Sequence, residues 1–166
     1  MGSSLKLFLA SRAPARLSAG TLLVATFTST LALMALVGLG LLSGHLLFLP
    51  PMAASMALVA GAPALPLSQP RNVIGGQMIS ASVGVLFGLW SHSLWVAAVA
   101  GGVALGAMLL TRTAHSPAAA TAAIGATAES GQLAFVACVL LAAAVLVLFG
   151  LIRARVKGAA YPSYWW

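Results

Sequence analysis

Two polar clusters in this chain carry side chains able to hold a small oxyanion. The first is Pro66-Leu67-Ser68-Gln69-Pro70-Arg71-Asn72-Val73-Ile74-Gly75-Gly76-Gln77. The planar guanidinium of Arg71 can grip an oxyanion through two parallel hydrogen bonds, and Gln69, Asn72 and Gln77 can each donate an amide N–H. The second cluster is Arg112 and His115, followed by Pro117; Gln132 lies further on. Pro51 and Pro117 each open a short apolar segment, and a helix beginning there offers free backbone N–H groups and the positive end of its dipole to an anion. Each residue also has an ordinary reading. An Arg at the border of an apolar run anchors it to the interface, amides join neighbouring helices, and a neutral His caps a helix.

Other chemistry finds no support in the sequence. Three His, the single Cys138 and the single acid Glu129 occur at unrelated spacings, which gives neither a metal-ligand set nor a catalytic triad. No cofactor and no enzymatic activity are expected. Glu129 reads as an acid near the start of a helix, and Cys138 as a small core residue.

The elements that must position these residues are membrane helices. Of 166 residues 61% are hydrophobic and 5% charged, whereas a soluble domain has roughly a quarter charged. Residues 17–70, 72–111 and 130–152 contain no charge, and each run exceeds the ~20 residues needed to span a bilayer. The formal charge of +7 sits at the borders of these runs, which fits the cytoplasmic side of a membrane better than nucleic acid. The expected partners are the lipid bilayer, a small inorganic anion, and further copies of the chain or a larger membrane complex.

Prolines and polar breaks divide the chain. Residues 1–16 form an interfacial segment, 17–152 the transmembrane domain, and 153–166 a basic and aromatic tail. Spanning helices are expected over 17–49, 73–90, 94–110 and 133–152, and short Pro-opened helices over 51–59 and 116–125. Gly76, Ser80, Gly84 and Gly88 recur every fourth residue, as do Ala98, Gly102 and Gly106, so two small-residue faces are expected to meet. The halves, about 17–90 and 93–152, align as a repeat. Pro51 and Ser55 match Pro117 and Thr121, and Gly76-Gln77 matches Gly131-Gln132. The short segments favour an all-α polytopic fold with four crossings and two re-entrant helices, Arg71 and Arg112 lying opposite the cytoplasmic termini. Six crossings in an inverted repeat, with every Arg and Lys cytoplasmic, is the alternative.

The island at 66–76, the Pro51 to Ser55 segment and the His115-Ser116-Pro117-Ala118-Ala119-Ala120-Thr121 stretch resemble the HPP family of integral membrane proteins, named for a His-Pro-Pro motif. The likeness covers about 22–152, and its most specific part is Gln69-Pro70-Arg71-Asn72 with Gly75-Gly76. Ser116 stands where the motif has its first proline. The resemblance implies a small transport protein, with nitrite import the activity associated with family members. The expected location is a bacterial cytoplasmic membrane.

Overall fold

The computed structural model describes residues 15–158 and 160–165. The expected interfacial segment at 1–16 lies almost wholly outside them, as does Trp166 of the tail. The described residues form six helices: α1 (Ala19–Ser43), α2 (Pro50–Gly61), α3 (Pro70–Gly88), α4 (Leu94–Leu110), α5 (Ala118–Thr127) and α6 (Gln132–Lys157), with a 3-10 turn at Pro66–Ser68.

Local chemistry sets their limits. Ser18 caps α1 by accepting from the Thr21 N–H at 3.3 Å, and left-handed Gly44 ends it six residues before the expected limit. Residues 45–49 then run extended to Pro50 and Pro51, whose fixed φ opens α2. Pro70 starts α3 in the same way, earlier than expected. Ser93 caps α4 through the Val96 N–H at 3.3 Å. Helix α6 continues through Arg153 and Arg155 to left-handed Gly158.

Size sorts the side chains. Leu41, Leu110 and Leu133 are each more than 80% exposed, while Ser55, Gln77, His115 and Thr121 are fully buried. Such an arrangement suits a lipid solvent, where large apolar groups face outward and polar groups bond one another inside. Among the described residues, α1 and α6 are long and apolar enough to cross a membrane unaided. Their partners in the main core are Met52, Met56 and Val59 of α2 and Val73 and Ala81 of α3, packed on Ala32, Leu36, Val139 and Leu146.

The small-residue face of α3 is packed, but not against the surface expected. An added Cβ at Gly84 would overlap the Ala122 carbonyl of α5 and lie 2.9 Å from its Cα, and one at Gly88 would lie 3.1 Å from the Ala126 carbonyl oxygen. Gly76 faces His115 and Thr113 instead. Ser80 donates to Met108 Sδ of α4 at 3.6 Å. Gly102 and Gly106 have no atom within 4 Å of such a Cβ. The expected meeting of two small faces is therefore corrected, because α5 inserts its own alanine backbone at Gly84 and α4 turns Ala97, Ala100, Ala104 and Met108 inward.

The layout of the ends also departs from expectation. Tyr161 Oη donates to the Ser68 carbonyl at 3.0 Å, the Ser163 N–H to Gln69 Oε1 at 2.8 Å, and Tyr164 Oη to Asn72 Oδ1 at 3.2 Å. Arg71 reaches the carbonyls of Thr111 and Arg112, and the Lys157 ammonium lies beside Gly20. The polar island, Arg71, Arg112, the start of α1 and the end of α6 thus share one end of the bundle, here termed the basic end. Placing Arg71 and Arg112 opposite the C-terminal tail is corrected by these contacts. The physical reason is that each short helix, with the residues that lead into it, carries the chain from one end of the bundle to the other. Helix α2 finishes at the basic end, where Ser68 bonds the Leu58 and Ala62 carbonyls; α5 finishes at the far end, where His92 Nδ1 donates to the Ala126 carbonyl at 3.1 Å.

Candidate functional site

The first turns of the two short helices meet inside the bundle. Ser55, one turn into α2, lies with its Oγ 2.7 Å from Nε2 of His115, three residues before α5. Gln77 of α3 joins both. Its Nε2 donates to Ser55 Oγ at 3.0 Å, and its Oε1 accepts from Thr121 Oγ1 at 2.6 Å. All four side chains are fully buried. Ser55 and Thr121, each four residues after an opening proline, are the positions paired by the sequence alignment, and one amide holds them both.

The hydrogen bonds fix the protons. His115 Nδ1 lies 2.8 Å from the Leu67 carbonyl, which can only accept, so Nδ1 carries a hydrogen. In a neutral ring Nε2 is then an acceptor. Ser55 has one hydroxyl proton and two acceptors for it, Nε2 at 2.7 Å and the Pro51 carbonyl at 2.8 Å. With its proton turned to Nε2, Ser55 accepts from Gln77 Nε2 at 3.0 Å, and the network is satisfied with a neutral ring.

A family profile described as HPP, transmembrane region, matches residues 14–162. The chain belongs to the HPP transmembrane family. This HPP-family chain is an integral membrane protein. It is similar to two transmembrane proteins of Dictyostelium discoideum, at 32% identity over 69% of this chain and 44% of the relative, and at 29% over 69% and 40%. The chain spans less than half the length of either relative. No solved structure matches it.

In this HPP-family chain the other expected site residues are placed elsewhere. Gln69 is fully buried, and its Nε2 donates to the Pro63 and Leu65 carbonyls at 2.8 and 3.1 Å. Asn72 donates to the Ala114 carbonyl at 2.8 Å. These amides tie the island to itself, to the loop before α5 and to the C-terminal tail. Arg71 Nη2 donates to the Thr111 carbonyl at 3.1 Å and its Nε to that of Arg112 at 3.4 Å, which meets the exposed carbonyls at the end of α4. Arg112 is exposed, with a left-handed φ of 58°. Gln132 begins α6 near the far end and does not join the four-residue cluster.

The expected free N–H groups at the short-helix starts are also corrected. Pro50 and Pro51 have none, and the Met52 N–H donates to Leu49 at 2.8 Å. Ala118, Ala119 and Ala120 donate to the carbonyls of His115, Ser116 and Pro117. A tightened first turn satisfies these donors internally. The site's capacity therefore lies in its side chains: an imidazole, two hydroxyls and an amide gathered in the interior of the bundle. The Leu67 carbonyl that orients His115 had no sequence signal, because any residue supplies a carbonyl.

Proposed function

We propose that the chain transports a small inorganic anion, nitrite, with a proton, past the Ser55–His115–Gln77–Thr121 cluster. The observation that carries this reading is the meeting of two broken helices, which enter from opposite ends, at a buried polar network inside an apolar bundle. Membrane transporters build midplane sites from discontinuous helices of this kind. His115 takes the proton at Nε2, and the imidazolium becomes the counter-charge for the anion held by Ser55 and Thr121. Arg71 and Arg112 form a basic mouth that raises the local anion concentration. No bond in the substrate is made or broken, so the activity is not enzymatic.

Uptake by proteoliposomes tests the proposal, with empty liposomes alongside because the uncharged acid crosses lipid unaided. Nitrite uptake above that background is expected to rise as external pH falls from about 7.5 to about 6, because an inward proton gradient then drives an anion carried together with a proton. His115→Ala is expected to lose both the uptake and its pH dependence. Uptake no faster than in empty liposomes would instead favour an accessory subunit of a larger membrane complex, a reading supported by the internal use of Gln69, Asn72 and the helix-start donors.

The same proposal has the chain crossing six times, with α2 and α5 and the residues that lead into them as the broken crossings and the basic end in the cytoplasm. In a Cys138→Ala background, cysteines at Leu65 and Arg112 are expected to label from the cytoplasmic side alone, and one at His92 from the opposite side. Labelling of Leu65→Cys from outside would restore four crossings.

A further inference from the structure

We infer that the groove between α1 and α6 is a binding site for an anionic phospholipid, with the phosphate on Arg153 and one acyl chain along the groove. The groove has a volume of about 490 Å3 and is lined by Leu23, Phe27, Thr28, Phe149, Ile152 and Arg153, among others. Arg153 is only 8% exposed, and its buried Nε has no hydrogen-bond partner among the described residues. A guanidinium nitrogen removed from water and left unbonded is destabilising, and in an apolar wall the remedy is an oxyanion. The chain offers no carboxylate side chain for this. Its one acid, Glu129, precedes the start of α6, and the stretch of that helix from Gln132 to Arg153 rises roughly 32 Å. No acidic side chain among the described residues supplies the counter-charge.

The walls select a lipid over a free anion. Leu23 and Phe27 are 71% and 66% exposed, so the groove opens sideways onto the surface that faces acyl chains, while Arg153 sits one helical turn from Lys157 at the basic end. A phosphodiester at that level bonds Arg153 and approaches Lys157, and its chain runs down past Phe27 towards Leu31. Basic pockets between helices near the cytoplasmic surface suit anionic headgroups.

Thermal unfolding of the purified full chain in neutral detergent tests this. Phosphatidylglycerol at roughly a hundredfold above its Kd is expected to raise Tm by about 5 to 10 °C. Phosphatidylcholine and inorganic phosphate at equal concentration are expected to give a much smaller rise. Arg153→Gln should abolish the phosphatidylglycerol effect, Arg153→Lys should keep part of it, and Leu23→Trp should block the groove with Arg153 intact. An equal rise with phosphatidylcholine or with inorganic phosphate would overturn the proposal, as would an undiminished rise in Arg153→Gln. If Arg153→Gln does not fold, an undiminished rise in Leu23→Trp would overturn it alone.

Discussion

Gly84→Ala is expected to destabilise the bundle by about 3 kcal/mol or more, a large effect for one added methyl group. The methyl would overlap the Ala122 carbonyl and lie 2.9 Å from the Ala122 Cα. Those atoms are backbone within α5, so no side chain can turn aside. Helices α3 and α5 must separate, and the van der Waals contact that holds helices together in lipid is lost along the whole face. Gly102→Ala is the matched control. With nothing within 4 Å, the new methyl meets no neighbour, and the better helix propensity of Ala favours it by about 0.5 to 1 kcal/mol. Yield and Tm in detergent separate the two variants. A wild-type Tm for Gly84→Ala would mean that the two helices do not approach as closely as described.

Gln77→Leu is expected to reduce nitrite flux at least tenfold while leaving a folded protein. The amide is the only group that touches both short helices through hydrogen bonds among the described residues: Ser55 on one side at 3.0 Å and Thr121 on the other at 2.6 Å. Leucine of similar volume removes both bonds. Ser55 already bonds the carbonyl of its own helix at Pro51, so the loss of stability is limited to about 1 to 3 kcal/mol. The flux loss is larger because the two hydroxyls are no longer held around His115. The double variant Ser55→Ala with Gln77→Leu should be no slower than the worse single variant, as expected for residues that act as one network. Wild-type flux in Gln77→Leu at matched incorporation would remove the cluster from the transport path.

The helices were legible because their causes are local. Ser93, the Pro50-Pro51 pair and Pro117 mark helix starts, and the expected α4 boundaries, 94–110, are those observed. Where a limit moved, a single backbone position decided it, as at Gly44, whose left-handed φ of 71° ends α1 inside an apolar run. Of the candidate site, Ser55, His115, Gln77 and Thr121 are brought together, and the pairing of Pro51 with Pro117 pointed to two of them. The roles of Gln69, Asn72 and Arg71 were not legible. Apart from Tyr164 Oη on Asn72, the partners described for them are carbonyls of Pro63, Leu65, Ala114, Thr111 and Arg112 and the backbone N–H of Ser163, groups that every sequence contains and no spacing marks. The same holds for the ends of the bundle. A segment of 12 residues is too short to span by itself, and composition does not reveal at which end of the bundle it finishes.

The contact of α3 with α5 has a mechanical consequence. At Gly84 and Gly88 there are no side chains to interlock with α5, and the opposing surface is alanine, glycine and backbone. Interdigitated leucines would act as teeth and hold two helices in discrete registers, whereas a face without teeth behaves as a rail. It is stiff against compression and compliant along its length, which is the condition for shear between packed helices. Helix α5 can translate by a fraction of a turn without climbing over a neighbour, and because Thr121 rides on it, such a stroke stretches the bond to Gln77 first.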